Sequence, residues 1–345
     1  MVTPGQVAID EAARSEPGEY RQLTTLTGWR QFVAHAPDPP ALLDTADWCA
    51  LSAADREGYD EARLSHHARL QTIATPVIRA TTLEGRRLSY LNRHAEAGRC
   101  GLIVSGPART GKTTAITQMG KTLDVIHHQR HPRSGADIPV IYITVPPAAT
   151  AKMIAFELAR FLGLPLTSRA NLTDITEAVC GVCTDARTSA VLVDEIHNMS
   201  LATRTGAEAS DMLKYFSERI PATFVYAGID IERAGLLTGT RGQQIAGRFG
   251  MIRTGPFPRG AQWTGLVTAI EDSLRLHHHR PSTLTGLETY LHQRTGGMIG
   301  SLLRLVRSAA VQAVLDGSER VTRKALDAIA IDIAASGETA VKART

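Results

Sequence analysis

Two short stretches of the sequence carry side chains that could do chemistry. The first is SGPARTGKTT at 105–114, which contains the spacing G-x-x-x-x-G-K-[ST]. In such a loop, backbone N–H groups surround phosphates, and the following helix turns the positive end of its dipole toward them. The apolar run GLIV at 101–104 precedes the loop, and a helical pattern follows it. This setting predicts a strand, a phosphate-binding loop and a helix in succession.

The pattern also predicts a role for each residue of the loop. The Lys112 ammonium would contact the β- and γ-phosphates, and the Thr113 hydroxyl would hold Mg²⁺. The predicted phosphate-binding residues are Gly106, Pro107, Ala108, Arg109, Thr110, Gly111, Lys112, Thr113 and Thr114. The loop therefore predicts a nucleoside triphosphate ligand, but it does not say what the energy would drive.

The second stretch is VLVDEIHNM at 191–199; its first three residues and the preceding Ala190 form a run of four apolar residues that leads into Asp194 and Glu195. Adjacent carboxylates at a strand end repel each other, so the pair suggests a function, with solvated acids as the alternative. In a nucleoside triphosphatase, Asp194 would help to hold Mg²⁺ and Glu195 would polarise the attacking water. The sequence lacks a guanine-reading Asn/Thr-Lys-x-Asp pattern at the expected place, which favours an ATPase over a GTPase.

Strand and helix patterns alternate around these stretches and predict an α/β core with a parallel sheet flanked by helices. The predicted strands lie in GLIVSG, IPVIYITVP, SAVLVDE, ATFVYAGID and MIRTGPF, and only helical patterns follow Pro258. The predicted organisation is a disordered N-terminus (1–20), a helical accessory segment (21–95), an α/β nucleotide-binding core (96–258), a helical lid (259–335) and a flexible tail (336–345).

Composition narrows the class of protein. No apolar run approaches membrane-spanning length, and the polar, acidic N-terminus lacks the layout of a secretory signal. We therefore expect a cytoplasmic protein without a membrane partner. The net charge of +4 permits binding to nucleic acid without demonstrating it.

Four cysteines fit a reduced compartment. Cys180 and Cys183 have a metal-like spacing, but there is no second pair to complete a zinc site, and they lie in a helical pattern. This pattern favours core packing over a redox or metal role. The His-rich pieces at 127–133 and 277–280 are predicted to be solvated basic turns.

An α/β core followed by a helical lid is the layout of AAA+ ATPases, and the chain more narrowly resembles the TniB/TnsC family of transposition-associated ATPases. The motifs that carry this resemblance are GWRQF, SGPARTGKTT, VLVDEIHNM, YAGID, IAGRF and TGGMIGSLLRLVRSAA. The resemblance implies an ATPase that uses ATP and Mg²⁺ and forms a homo-oligomer with ATP. It also implies binding to duplex DNA without strong sequence preference, and recruitment or activation of a transposase.

By the same resemblance, Arg248 in AGRF aligns with an arginine finger that reaches the γ-phosphate of a neighbouring subunit. A surface arginine at a helix end is the alternative. Two positions depart from the family pattern: Ile229 stands where a polar residue is frequent, and Ser301 where a lid arginine is frequent. Arg304 lies one turn further on. These departures predict slow or partner-dependent hydrolysis.

Several interpretations stay open at this point. His197 and Asn198 could transmit the nucleotide state, contact a neighbouring subunit, or cap a helix. DNA contacts are expected from Lys152 or from the turn at 167–169, although each could be an ordinary helix start. Alternative functions are a replication-initiator or helicase-loader ATPase, which would be expected to carry a winged-helix domain, and a non-hydrolysing scaffold in signalling or defence. Retention of Glu195 argues against the scaffold.

Overall fold

The computed structural model describes residues 22–36, 38–69, 72–165, 171–199, 203–232 and 246–331. The predicted disordered N-terminus (1–20), the predicted tail (336–345) and the turn at 167–169 lie outside these residues. The chain folds as two compact units. The first contains Met1–Ala36, Pro76–Pro107 and Lys112–Thr254, and the second contains Pro37–Thr75, Ala108–Gly111 and Gly255–Thr345.

The elements follow one another along the chain as helices and short strands. The helices are α1 Leu26–Ala34, α2 Thr45–Ala50, α3 Ala53–Ala68, α4 Pro76–Asn92, α5 Lys112–Arg130, α6 Ala151–Phe161, α7 Leu172–Asp185, α8 Arg204–Arg219, α9 Ala261–Asp272, α10 Glu288–Thr295, α11 Ile299–Leu315 and α12 Arg323–Ala328. The strands are β1 Gly101–Ser105, β2 Val140–Thr144, β3 Ala190–Asp194, β4 Thr223–Gly228 and β5 Phe249–Arg253.

The first unit is built on a five-stranded sheet in the order β2-β3-β4-β1-β5, and all the pairings are parallel. β1 and β3 are buried along their whole length, as expected for strands covered by helices on both faces. The carboxyl ends of parallel strands lie at one edge, where ligands bind in such sheets. Because β4 lies between β1 and β3, the segment after β4 lies between the phosphate loop and the paired acids.

Helix α1 is anchored on the first unit by Trp29, which is buried. The Trp29 Nε1–H donates to Asp124 of α5 at 2.9 Å, and the indole stacks on the Tyr142 ring of β2 with centroids 6.1 Å apart. Lys121 donates to two carbonyls at the end of α1, those of Phe32 and His35. The N-terminal segment at 22–36 therefore packs on β2 and α5 of the first unit.

The second unit contains a separate apolar core, formed mainly by α9 and α11, and a buried ion pair. The Arg63 guanidinium of α3 donates to both carboxylate oxygens of Glu319, at 2.6 and 2.8 Å, and also to Asp60. Such a bidentate pair fixes geometry as well as charge, and it ties α3 to the turn after α11. Residues 37–75 thus share a unit with the helices after 255, while 76–95 fold with the sheet. The domain boundaries predicted from the sequence stay predictions.

The structure differs from the sequence predictions at the His-rich pieces. Helix α5 continues to Arg130, so the first of these pieces is not simply a turn. Basic residues in a last helical turn are favoured by the negative end of the helix dipole. In the second piece, His277 stacks on Trp48 at 4.1 Å, and His279 lies 3.1 Å from a carboxylate oxygen of Glu271. The prediction that 277–280 is solvated was therefore wrong for these two rings.

Candidate functional site

The phosphate loop begins where β1 ends. Gly106 has a φ of 151°, and a Cβ at this position would lie 2.2 Å from the Thr254 carbonyl oxygen, so only glycine fits. Lys112 opens helix α5, and its Nζ donates to the carbonyls of Gly106 at 2.8 Å and Pro107 at 2.6 Å. The lysine side chain therefore folds back over its own loop.

The charge of Lys112 is held away from water. The side chain is buried, and this burial lowers its pKa, while the nearby charges of Glu195, Asp194 and Asp230 act in the opposite direction. Asp194 ends β3, Glu195 follows it, and Asp230 comes two residues after β4, so the three charges act on the ammonium from the carboxyl ends of the strands. The charges of the paired acids thus act on Lys112, and the phosphate and metal roles predicted for these residues stay predictions.

The tip of the loop, 108–111, belongs to the second unit. There the Gly300 N–H at the start of α11 donates to the Arg109 carbonyl at 3.0 Å. Ser301 is buried in the first turn of α11, and Arg304, one turn on, is exposed. The start of α11 therefore contacts the loop tip through backbone atoms.

Asp194 is the last residue of β3 and is almost fully buried. One carboxylate oxygen accepts the Tyr142 hydroxyl at 3.0 Å, and the other accepts the backbone N–H of Glu195 at 2.9 Å. Burial raises the pKa of Tyr142, and the charge of Asp194 raises it further, so the phenol stays a donor. The carboxylate is thus fixed in one orientation.

Glu195 has a left-handed backbone, with φ 56° and ψ 34°. Such a conformation is costly for a residue with a side chain and clusters at functional sites. The side chain is 39% exposed, and its carboxylate lies 3.3 Å from the His197 Nε2. Glu195 therefore combines an unusual backbone with a carboxylate that water can reach, as a general base requires.

A polar network joins the carboxyl ends of β1 and β5 to the segment after β4. The Ser105 hydroxyl, at the end of β1, donates to Glu232 and accepts the Ile231 N–H at 3.0 Å. Glu232 also accepts from Arg253, the last residue of β5, at 2.9 Å. The hydrogen bond from Ser105 lowers the pKa of Glu232. Sequence reasoning missed this network, because its members are far apart along the chain.

Sequence reasoning also missed the contact between Tyr142 and Asp194. The signal was a tyrosine inside an otherwise aliphatic strand, IPVIYITVP. A buried tyrosine hydroxyl usually finds a partner. Only the pairing of β2 with β3 shows that the partner is the acid at the end of β3.

Arg248 lies at the amino-terminal ends of the strands, opposite the ends that carry the phosphate loop and the paired acids. Its carbonyl accepts the N–H of Gly101, the first residue of β1, whereas the phosphate loop follows the last residue of that strand. A strand of this length spans roughly 16 Å at about 3.3 Å per residue. The Arg248 guanidinium is 43% exposed and lies 3.7 Å from Glu218. The structure therefore does not bring Arg248 to the phosphate loop of its own chain.

The remaining candidates are Lys152 and the pair of cysteines. Lys152 is exposed on α6, with its ammonium 5.8 Å from the centre of the Phe156 ring. Cys180 and Cys183 are buried in the core of the first unit, and burial raises the pKa of Cys183 to about 12. Both cysteines therefore lie where core packing was predicted, and the Cys183 thiol stays protonated.

The donor set fits Mg²⁺. This ion prefers oxygen ligands and keeps several waters, so one or two protein oxygens and substrate phosphates suffice. Asp194 offers an oriented carboxylate, and Thr113 lies in the first turn of α5. Within the part of the chain that the structure describes, no group of three or more His, Cys, Asp or Glu could hold a metal ion. A cation here would therefore rely on the substrate for its other ligands.

The family of the chain follows from a sequence comparison. The model of the bacterial TniB protein family matches residues 64–258, more than half of the 345 residues. The chain belongs to the TniB family. No curated protein matched the sequence.

Solved structures show the fold. The ORC1 protein of Aeropyrum pernix in complex with DNA is 13% identical over 80% of this chain and 69% of its own, with a TM-score of 0.59. The ORC2 protein of Aeropyrum pernix in its ADP form is 18% identical over 76% and 72%, with a TM-score of 0.59. Domain III of the replication initiation protein DnaA from Thermotoga maritima is 12% identical over 76% and 93%, with a TM-score of 0.50.

These likenesses confirm the predicted α/β fold, in which helices flank a parallel sheet. At such identities they show the fold alone. None of the helices in the described residues is long and apolar enough to cross a membrane.

The role predicted for Asp194 can be tested through Tyr142. Tyr142→Phe removes the donor that orients the carboxylate but keeps the ring that packs on Trp29. Loss of such a supporting hydrogen bond typically weakens metal affinity about 10- to 100-fold. We expect the Mg²⁺ concentration for half-maximal ATP hydrolysis to rise by that factor.

Tyr226→Phe is the matched control, because Tyr226 is a buried tyrosine of β4 whose ring stacks on Phe249. This variant should keep the Mg²⁺ requirement of the parent. Equal Mg²⁺ requirements in Tyr142→Phe and Tyr226→Phe would show that Tyr142 does not support a metal ligand.

Proposed function

We propose that this TniB protein hydrolyses ATP with Mg²⁺, assembles in its ATP-bound form on duplex DNA, and recruits or activates a transposase. The observation that carries the ATPase part is that the buried ammonium of Lys112 lies close enough to Asp194 and Glu195, at the carboxyl ends of the strands, for their charges to act on it. Membership of the TniB family supports the link to transposition. The fold supports nucleotide binding, because the phosphate loop follows β1, a buried strand that pairs with β4 on one side and β5 on the other.

The role of each residue follows from the chemistry of its side chain. Lys112 would exchange its bonds with the Gly106 and Pro107 carbonyls for bonds with the β- and γ-phosphates. Thr113 and Asp194 would hold Mg²⁺, which would supply positive charge beside the phosphate oxygens. The Glu195 carboxylate would accept a hydrogen bond from the attacking water and so orient it for in-line displacement.

Hydrolysis is expected to be slow. Ile229 offers no polar side chain at the end of β4, and Ser301 offers no charge at the start of α11. ATP would then act mainly as a switch, in which the bound γ-phosphate stabilises the assembled state and hydrolysis releases it.

DNA binding would depend on assembly. The chain carries a net charge of only +4, so one copy makes few phosphate contacts, and several copies must combine theirs. Exposed Lys152 on α6 is the candidate contact within the described residues. Contacts of this kind grip phosphates without reading sequence.

The assignment of the ATPase residues is tested with two variants. Lys112→Ala should abolish nucleotide binding, because the cation for the phosphates is lost. Glu195→Gln should keep ATP binding and lower the hydrolysis rate about 10²- to 10⁴-fold, the usual value of a general base. Binding of a fluorescent ATP analogue and steady-state phosphate release measure the two effects.

Glu208→Gln is the control, since Glu208 is an exposed acid of α8 that forms an ion pair with Arg204 of the same helix at 2.9 Å. Parent-like hydrolysis in Glu195→Gln would remove Glu195 from the mechanism. Tight ATP binding by the parent without any hydrolysis would instead favour a non-hydrolysing scaffold.

The DNA proposal predicts binding that requires ATP and weakens steeply with salt. Affinity for random duplexes should fall with a log–log slope of about −0.9 for each phosphate neutralised. Filter binding across a salt series, with and without ATP, measures this slope. Lys112→Ala should behave like the parent without ATP, and tight binding by the parent without nucleotide would contradict the proposal.

Arg248 is proposed to act on the nucleotide of a neighbouring chain, because it lies at the edge opposite its own phosphate loop. An arginine supplied in this way can be worth 10³- to 10⁵-fold in rate. Arg248→Ala should therefore bind ATP normally but hydrolyse it slowly. An equal mixture with Glu195→Gln should restore activity, because some interfaces then pair an intact Glu195 with an intact Arg248 of the neighbour. For random head-to-tail assembly this is about a quarter of the interfaces. Co-assembly without recovery would overturn the assignment.

A further inference from the structure

We propose that His197 is a positioning residue that connects the Glu195 carboxylate to the backbone after β4. This inference rests on the proposed ATPase function. His197 lies in the short 3₁₀ turn Ile196–Asn198 that follows the paired acids. Its imidazole contacts one of those acids and the backbone after β4.

The two contacts use different ring nitrogens. Nε2 lies 3.3 Å from the Glu195 carboxylate, and Nδ1 lies 3.2 Å from the backbone nitrogen of Ile229. A backbone N–H can only donate, so Nδ1 must be the acceptor and carry no proton. Neutral imidazole then carries its proton on Nε2, where it can donate to the carboxylate. One tautomer satisfies both contacts.

The turn that carries His197 is itself fixed. The Asn198 backbone N–H donates to the Glu195 carbonyl at 2.9 Å, and the Asn198 side-chain amide donates to the Val145 carbonyl after β2 at 2.9 Å. Ile196 is buried beneath the turn. Asn198 thus ties the turn to β2, and the imidazole is presented from a rigid support.

The end of β4 packs closely on this turn. A Cβ at Gly228 would lie 3.0 Å from the Ile196 side chain and 3.2 Å from the backbone nitrogen of His197. A shift of Gly228 would therefore move the turn, and a shift of Ile229 would move the imidazole through the bond at Nδ1. In the proposed mechanism, the segment after β4 lies between the phosphate loop and Glu195, so His197 links movement there to the water-orienting carboxylate.

An exposed His–Glu contact alone would contribute little. The backbone bond at Nδ1 changes this, because it fixes the ring before the ring meets the carboxylate. A misplacement of about 1 Å in a catalytic group can cost about 10²-fold in rate. We therefore expect His197 to act on the rate of hydrolysis and not on ATP affinity.

The test uses side chains that copy one end of the imidazole. His197→Gln places an amide donor near the Nε2 position, His197→Asn copies only the Nδ1 end, and His197→Ala removes both. We expect Asn and Ala to lower kcat roughly 10- to 100-fold, with KM for ATP and analogue binding unchanged. His197→Gln should recover part of kcat. His128→Asn is the matched control, because the His128 Nδ1 lies 3.1 Å from the carbonyl of Asp124, one turn earlier in its own helix.

A second readout separates positioning from folding. If His197 acts through Glu195, His197→Ala should cause no further loss of single-turnover rate in the Glu195→Gln background. Parent-like kcat in all three variants, an equal additional loss in the Glu195→Gln background, or loss of ATP binding would each overturn the inference. Failure of the proposed function is distinguished from these results, because the parent itself would then show no hydrolysis that depends on Glu195.

Discussion

The buried charges at the carboxyl edge of the sheet are the constraint on which the site depends. The Lys112 ammonium and the Asp194 carboxylate are both almost fully removed from water. Desolvating such groups costs several kcal/mol each, and the cost persists unless partners compensate for it. Here the compensation comes from loop carbonyls for Lys112, and from Tyr142 and a backbone N–H for Asp194. These partners fix the place of each charge before any ligand binds, and such preorganisation favours a ligand of matching charge.

The supports of these charges extend through the first unit. Tyr142 reaches Asp194 while its ring stacks on Trp29, and Trp29 is bonded to the helix that begins with Lys112. The segment at 22–36 thus stabilises both halves of the site. The opposite edge carries Arg248, which a strand length of roughly 16 Å keeps from the phosphate loop of the same chain. In the proposed function one chain binds the phosphates and orients the attacking water, and Arg248 of the neighbouring chain supplies a further positive charge to the nucleotide.

The parts that could be predicted from sequence are local in character. The glycine-rich loop and the acid pair depend on short spacings, and the buried parallel strands are continuous apolar runs such as VLV before Asp194. The parts that were missed depend on register and on distant contacts. The hydrogen bond between Tyr142 and Asp194 forms only because β2 pairs with β3. The ion pair of Arg63 joins it to Glu319, which lies 256 positions further along the chain. The His277 and His279 rings were predicted to be solvated because their aromatic and acidic partners come from elsewhere in the second unit.

The sharing of one hydrolytic site between two chains is tested most directly by the rate of ATP hydrolysis per chain over a wide range of protein concentration. Sedimentation with ATP would report assembly in the same samples. If the neighbour completes the site, the rate per chain rises as the chains assemble and levels off when assembly is complete. A rate per chain that stays constant from dispersed to assembled protein would show that each chain contains a complete site, and it would contradict the role proposed for Arg248.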